Sequence, residues 1–275
     1  MEAIKTPILV TGASGFVGAN LLHQLVHEGA DVHAIVRRDS DLWRLQSILG
    51  QIRVHRGDLT DRETTAAIIH AVKPKTIFHL AAYGGYHYQR EPEKILATNI
   101  FGTLHLLEAC AAVGFAAFVN TGSSSEYGRQ NVPMQEDLRL EPNTPYGVAK
   151  ACQTLYGQYL AREHGYPIVT LRLFSVYGPY EEPTRMVPTL ITRALAGLPL
   201  KLVDPATARD FVYIADVVAA YGNAAVTPNL GGRIINVGTG RQTPMRELVA
   251  HILRLTQSSS PLAWHAYPPR TFDTD

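Results

Sequence analysis

Cysteine is nearly absent: Cys110 and Cys152 are the two in 275 residues. Two thiols cannot build a disulfide framework, so a reducing, cytoplasmic setting is expected. An excess of either charge is missing as well. Lys and Arg number 25 against 24 Asp and Glu, a net charge of +1. That balance excludes the concentrated positive charge by which proteins hold nucleic acid or an anionic membrane surface. The longest bland apolar stretch, 109–119, is shorter than the ~20 residues a bilayer span needs. The start, MEAIKTPILV, runs too soon into glycine to be a secretory apolar core. Internal repeats, low-complexity tracts and a His-Glu-x-x-His zinc motif do not occur. His23 and His27 lie four apart with no third ligand in the pattern, so they read as a packing pair and no metal is expected.

What is present is an alternation, with a hydrophobic fraction of 46% that supplies ample core. The run PILV at 7–10 reads as a strand buried on both faces. Residues 16–28 are amphipathic and stop at Gly29. Further strands are expected at 32–36, 52–55, 76–82, 115–120 and 168–173, with helices over 41–49, 62–72, 92–113 and 144–164. Repeated β-α-β units of this kind predict a parallel sheet covered by helices, with right-handed crossovers. After Tyr177 the prolines cluster (Pro179, Pro183, Pro188, Pro199, Pro205) and the expected strands shorten to 200–203, 211–214 and 234–237. No flexible linker intervenes. The chain therefore divides into a unit over 1–177 and a smaller lobe over 178–275.

Where the first strand meets the first helix stands Thr11-Gly12-Ala13-Ser14-Gly15-Phe16-Val17-Gly18. Gly12 permits a tight turn, Gly15 a close backbone approach to a pyrophosphate, and Gly18 close helix–sheet packing. The helix start then offers unpaired N–H groups and a positive dipole end to phosphate. The spacing is G-x-x-G-x-x-G, and its place between strand and helix makes it a dinucleotide signal. An acid at the end of the second strand would bind the ribose hydroxyl of NAD, whereas arginine accommodates the extra phosphate of NADP. Here Val36-Arg37-Arg38 precedes Asp39, so NADP is expected at Arg37 and Arg38, with NAD left open. A solvated basic turn is the alternative.

Tyr146 and Lys150 are four residues apart and share one helix face. An ordinary tyrosine, with a pKa near ~10, is a poor proton carrier at neutral pH. A nearby ammonium lowers it, giving an acid/base suited to interconverting an alcohol and a ketone. The run Thr121-Gly122-Ser123-Ser124-Ser125-Glu126 follows an expected strand, where open α/β sheets bind ligands. A serine hydroxyl there is placed to hydrogen-bond a reacting oxygen.

These motifs together resemble the extended short-chain dehydrogenase/reductase family, in its nucleotide-sugar epimerase/dehydratase/reductase branch. The resemblance runs over essentially the whole chain: TGASGFVG at 11–18, GDLTD at 57–61, FHLAA at 78–82, Asn99, SSSEYG at 123–128, YGVAK at 146–150, LRLFSVYGP at 171–179 and ARDFVYIADV at 208–217. It implies an α/β fold, a Rossmann-type doubly wound parallel sheet with a smaller C-terminal α/β substrate lobe. It also implies a catalytic set of Ser123, Tyr146 and Lys150, with Lys150 on the ribose. The cofactor set would be Gly12, Ser14, Gly15, Phe16, Val17, Gly18, Arg37, Arg38, Asp58 and Leu59 at the adenine, Leu80, Ala81, Ala82, Asn99, and Phe174 to Val176 beside the nicotinamide. The substrate, a nucleotide-diphosphate sugar, would meet Ser124, Tyr86, Arg185 and Arg209. A homodimer through the two long helices is implied as well.

Departures narrow the reaction. Dehydratases of the branch carry an acid two residues after the catalytic hydroxyl. Ser125 holds that place here and Glu126 falls one later, which makes a 4,6-dehydratase the weaker reading. Ser175 stands where many relatives have Asn. Relatives also run on past the proline-rich segment, so a chain clipped after Asp275 is anticipated. The expected activity is NADPH-dependent reduction of a 4-keto sugar, with 4-epimerisation as the alternative and a non-catalytic dinucleotide sensor as a different class. The aromatic loop Tyr83–Tyr88 reads equally as a sugar-side loop or as ordinary packing. His79 and both cysteines are expected to be buried core residues.

Overall fold

Short buried strands alternate with helices in the computed structural model, which describes residues 4–86 and 88–267. β1 (Ile8–Thr11) and β2 (Val32–Val36) are buried along their whole length and joined by α1 (Phe16–His27). A 3-10 helix, Trp43–Gln51, leads to β3 (Arg53–Arg56) at the sheet edge. α2 (Arg62–Val72) begins at Asp61, whose carboxylate accepts from Thr64 N at 3.0 Å, and ends at left-handed Lys73 just before Pro74. After β4 (Thr76–His79), α3 (Pro92–Leu96) passes through a π turn, Ala97–Phe101, into α4 (Gly102–Val113). β5 (Ala117–Ser123), α5 (Pro145–His164) and β6 (Ile168–Leu173) follow. Then come β7 (Ser175–Tyr177), α6 (Met186–Leu195), β8 (Leu200–Lys201), β9 (Ala208–Arg209), β10 (Phe211–Tyr213) and α7 (Ile214–Val226). β11 (Ile234–Val237), β12 (Thr243–Pro244), α8 (Met245–Thr256) and β13 (Leu262–Ala263) complete the described chain.

Seven strands form one parallel sheet in the order β3-β2-β1-β4-β5-β6-β11. This is the Rossmann-type doubly wound arrangement. From β1 the chain builds outward to β3, then returns to β4 on the other side. Ile8 pairs with Val32 on one flank and Thr76 on the other. The reversal opens a crevice beyond the C-terminal ends of β1 and β4, the place where such sheets take ligands.

Alternate strand residues feed two cores, as a two-faced sheet requires. Ile8 and Val10 pack with Leu21, Leu22 and Leu25 of α1 and with Val217 and Tyr221 of α7. Leu9 points the other way, into a cluster with Leu106, Leu107 and Cys110 of α4 and Leu160 of α5. The helical stretch Pro92–Val113 is long and apolar enough to cross a membrane by composition; here it packs against α2 and α5. Of residues 178–275, α7 and β11 return to the main sheet, while α6, β8 and α8 enclose a third cluster of Leu190, Leu200, Met245, Val249 and Ile252.

Several expectations change: the strand read over 76–82 ends at His79, and the helix read over 41–49 is the 3-10 helix Trp43–Gln51. Residues 121–123 are strand, because Thr121, Gly122 and Ser123 go on pairing with Leu171, Arg172 and Leu173 of β6. Ser123 therefore ends a strand instead of lying in a loop after it. Cys152 is only partly buried, whereas Cys110 is fully buried and its thiol is pushed up by burial. Residues 268–275 lie outside the described residues.

Candidate active site

The crevice opens into a cleft of about 2020 Å³. Its floor is the glycine turn. Gly12 has φ +67°, and a Cβ there would sit 2.5 Å from the carbonyl carbon of Leu80. A Cβ on Gly18 would lie 2.3 Å from Gly12 O. Side chains at either place would force β1, β4 and α1 apart. α1 begins at Gly15 with no side-chain cap and no acid in its first turn. Its first N–H groups are thus left for an anion, and the turn fits a dinucleotide pyrophosphate. Ser14, Phe16 and Val17 line the same floor.

Across the cleft, β5 and α5 bring three polar groups together. α5 starts at Thr144, whose hydroxyl accepts from Gly147 N at 3.0 Å, with Pro145 at its first position. This fixes Tyr146 in the first turn. Ser123, at the last position of β5, lines the cleft beside the Tyr146 phenol and acts on its titration. Lys150, one turn further and fully buried, donates to Thr121 O at 2.8 Å and to Gln153 Oε1 at 2.9 Å. Its Nζ lies 6.0 Å from the Tyr146 ring centre.

The electrostatics differ from the sequence expectation. Burial pushes the Tyr146 phenol up to about 12; Ser123 and Arg185 pull it down, and Glu126 and Tyr86 push it up. Burial pushes Lys150 down to about 8, against the pull of Glu126. Lys150 is not what acts on the phenol in this geometry, because its ammonium is turned onto the β5 carbonyl. At neutral pH the phenol is held protonated, as a donor, and the lysine charged.

A buried chain of hydrogen bonds ties the walls of the cleft together. Asn99, in the π turn, brackets the Tyr83 backbone, accepting from its N at 2.9 Å and donating to its O at 2.7 Å. Thr103 Oγ1 donates to Asn99 O at 2.6 Å and lies 2.8 Å from His79 Nε2. His79 Nδ1 lies 2.7 Å from Thr11 Oγ1, which accepts from Ala81 N at 3.2 Å. With Thr103 already donating, the chain requires the proton on Nε2 and Thr11 as donor to Nδ1. Burial holds His79 neutral, with a pKa of about 3. The π turn therefore exists to aim Asn99 at the strand-end loop, a use typical of such bulges.

Glu126 points inward, not into the cleft. Its carboxylate accepts from Ser123 N at 2.8 Å and pairs with Arg172 Nε at 2.8 Å, both side chains being almost wholly buried. Arg172 also covers the Tyr127 ring at 4.5 Å. The displaced acid of the SSSEYG run thus supports Ser123 from behind. Thr121, Glu126 and Arg172 stand in the sequence motifs but with no sign of their contacts, and Gln153 stands in none of them. No local pattern joins Glu126 to a partner 46 residues away.

The expected cofactor and substrate residues meet in this one cleft with two exceptions. Arg37, Asp58, Leu59, Leu80, Ala81, Ala82, Phe174 and Val176 line it, as do Ser124, Tyr86, Arg185 and Arg209. Arg38 does not; its side chain is exposed at the end of β2, and Arg56 Nη1 donates to the carbonyl of Arg37 at 3.0 Å beneath it. Asn99 does not either, being fully buried behind Tyr83. Arg185 donates to Gly85 O at 3.4 Å and lies over Tyr86, which stacks on Tyr88. Asp210 accepts from Thr239 N and Gly240 N at 2.8 Å, holding that loop against the Arg209 strand. His23 packs as anticipated: it reaches the Arg44 carbonyl at 2.8 Å and stacks on Tyr180.

Known proteins share this architecture. The family model described as NAD dependent epimerase/dehydratase family matches residues 8–238. A UDP-glucose 4-epimerase of Mycolicibacterium smegmatis is 31% identical over 278 residues, covering 96% of this chain and 87% of the relative. The crystal structure of a UDP-glucose 4-epimerase from Thermotoga maritima with UDP-glucose superposes with a TM-score of 0.89 at 30% identity, covering 97% of this chain and 87% of that one. A UDP-glucose 4-epimerase of Thermus thermophilus in complex with NAD gives 0.87 at 27% identity, over 97% and 88%.

Proposed function

Because the chain belongs to the NAD-dependent epimerase/dehydratase family, we propose that it carries out redox chemistry at C4 of the sugar in a nucleotide-diphosphate sugar. The observation that carries this reading is the Tyr146 phenol, beside Ser123 at a strand end, in the same cleft as the glycine turn. A nicotinamide dinucleotide, when bound, supplies or takes the hydride. Gly12, Ser14, Gly15, Phe16, Val17 and Gly18 would hold its pyrophosphate, Asp58 and Leu59 its adenine, and Phe174 and Val176 its nicotinamide end. Lys150 would hold the nicotinamide ribose. Tyr146 donates its proton to the sugar oxygen as negative charge gathers there. Ser123 hydrogen-bonds the same oxygen, and this support, strongest at the transition state, lowers the barrier. Arg185 and Arg209 carry the charge that meets the substrate diphosphate, with Ser124 and Tyr86 beside the sugar.

Two reactions use these groups: in reduction Tyr146 gives a proton to the oxygen, and in epimerisation it first takes the proton of the C4 hydroxyl as hydride leaves and then returns it. Reduction of a 4-keto sugar by NADPH is favoured by the end of β2, where Arg37 follows Val36 in the cleft and the first acid, Asp39, comes two residues later and pairs with Arg37 at 3.4 Å, and by a phenol held as a donor. Epimerisation at C4 with NAD is favoured by the relatives, which are named as 4-epimerases. Incubating the protein with a panel of 4-keto and 4-hydroxy sugar nucleotides, with and without NADPH, tests the reading. Net oxidation of NADPH identifies the reductase, isomer formation without it the epimerase. Dinucleotide binding with no hydride exchange on any sugar nucleotide overturns both in favour of a sensor. A second copy of the chain completes the reading: Phe101 of the π turn before α4 and Val148, Leu155 and Tyr159 of α5 are exposed apolar side chains, suited to a helical dimer that sedimentation would detect.

A further inference from the structure

Glu181 is a carboxylic acid in the cleft wall that none of the chemistry above uses. It sits in the segment after β7, and that segment is pinned to the glycine-turn side of the cleft. Asn20 Nδ2 donates to Pro179 O at 3.0 Å. Arg44, itself buried, donates to Tyr180 O at 2.7 Å, to Ser14 O at 3.3 Å and to Glu182 Oε2 at 3.1 Å. The position of Glu181 is therefore fixed by its neighbours and by its own N–H, which donates to Gly178 O at 3.2 Å.

Its own contacts are few. The side chain is 7% exposed, and Arg185 Nε lies 3.7 Å from Oε1, too long for a hydrogen bond. Oε2 is buried and has no hydrogen-bond partner among the described residues. The contrast with Glu182 next door is instructive, since that acid has Arg44. Buried polar atoms are nearly always paired, and an unpaired one in a native protein calls for an explanation such as a ligand. Burial also pushes the Glu181 carboxyl up to about 7, despite Arg185.

The chemistry of the missing partner follows from the chemistry of the acid. A carboxylate accepts hydrogen bonds; it repels phosphate and other carboxylates. What suits it is a hydroxyl. The two ligands assigned to this cleft both bring hydroxyls, one on a ribose of the dinucleotide and one on the hexose of the sugar nucleotide. Glu181 lines this shared cleft between Tyr180 and Glu182, which Arg44 ties to Ser14, and Arg185, which lies over Tyr86.

We propose that Glu181 is a ligand-binding residue that accepts a hydrogen bond from a sugar hydroxyl of a bound ligand, and so helps select which ligand is held. This rests on the reading of the cleft as a site for a dinucleotide and a nucleotide sugar. Selectivity follows from the asymmetry of such contacts: a buried acceptor rejects an analogue that lacks the donor more strongly than it rewards one that has it.

The test uses the full chain and two variants. Glu181→Met removes the acceptor at nearly constant length, and Glu181→Gln keeps an acceptor oxygen without the charge. Three quantities are read: the melting temperature of the protein alone, the Kd for NADP(H), and the KM for the nucleotide sugar that turns over in the panel above. The methionine variant is expected to melt no lower than wild type, because an unpaired buried oxygen has been removed. It is also expected to lose about 10- to 100-fold in affinity for one ligand. The glutamine variant should stay within about fivefold of wild type. A loss confined to NADP(H) places the hydroxyl on the ribose; a loss confined to the nucleotide sugar, with the Kd for NADP(H) unchanged, places it on the hexose. Either supports the proposal. Unchanged affinity for both ligands in the methionine variant overturns it while leaving the function of the cleft intact. A wild-type protein that binds neither ligand overturns both.

Discussion

Replacing Glu126 separates what the buried ion pair does for the fold from what it does for the site. The carboxylate and the Arg172 guanidinium are 2.8 Å apart at 0% and 1% side-chain exposure. Burial pushes the Glu126 carboxyl up by more than Arg172 pulls it down. The attraction thus does not offset the loss of water around the acid. Glu126→Gln leaves the arginine buried and unpaired, which costs about 3–5 kcal/mol. For a chain of this size that corresponds to a fall in Tm of about 6–20 °C. The double change Glu126→Leu with Arg172→Met removes both charges at similar volume and should recover much of that loss, short of about 1–3 kcal/mol for the Ser123 N–H left without its acceptor. The assay is urea unfolding of wild type, Glu126→Gln, Glu126→Leu, Arg172→Met and the double variant, the last three read with wild type as a double-mutant cycle. Turnover should not follow stability. Even in a stable double variant, Ser123 N has lost its acceptor, so kcat falls while the Kd for NADP(H) holds. A single variant within 1 kcal/mol of wild type, or a double variant as unstable as the single, would refute the reasoning.

Arg37→Ala should weaken NADP(H) binding about tenfold more than NAD(H) binding, the worth of one charge-assisted phosphate contact; equal losses in fluorescence titrations would take Arg37 off the ribose phosphate. Arg209→Ala should raise KM for the nucleotide sugar about tenfold with kcat nearly constant, and an unchanged KM would place the diphosphate elsewhere. Acid should destabilise the edge of the sheet. His33 Nδ1 and His55 Nε2 are 2.9 Å apart, and Arg53 lies 3.0 Å from His33 Nε2, an arrangement that needs neutral imidazoles. Burial lowers both pKa values from 6.5. The unfolded chain therefore binds more protons than the fold, and the stability present above pH 6.5 declines as pH falls below it. His79 acts in the same sense. Thermal melts of His33→Gln with His55→Gln should show a smaller loss between pH 7.5 and 5.5 than wild type, and parallel curves would count against the pair.

The elements with a strong local signature were legible before any coordinates. The glycine turn announces itself because three different steric demands fall at fixed offsets, and the structure shows two of them as near-collisions at Gly12 and Gly18. Tyr146 and Lys150 were legible as a pair because helical spacing places them on one face. What that spacing does not carry is where each side chain ends. Lys150 turns to the Thr121 carbonyl and away from the phenol, a choice made by Gln153 and by a strand more than twenty residues away. Ser123 hid in a run of small polar residues that looks like a loop until β6 pairs with it. β11 was legible as a strand, but its return to the main sheet beside β6 depends on the path of α7, which no short window encodes. The relay from Asn99 through Thr103 and His79 to Thr11 joins three elements by single side chains, each unremarkable in its own segment. Glu181 carries no sequence signal at all. It stands out only because a folded neighbourhood leaves one of its oxygens alone.

Tyr146→Phe bears most directly on the central claim. The substitution removes one oxygen and leaves the ring, Ser123, Lys150 and the glycine turn in place. The Kd for the dinucleotide should stay within about twofold, and hydride exchange with the nucleotide sugar should fall by about 10²- to 10⁴-fold, the contribution of a positioned proton donor. A phenylalanine variant that turns over at the wild-type rate would contradict the account.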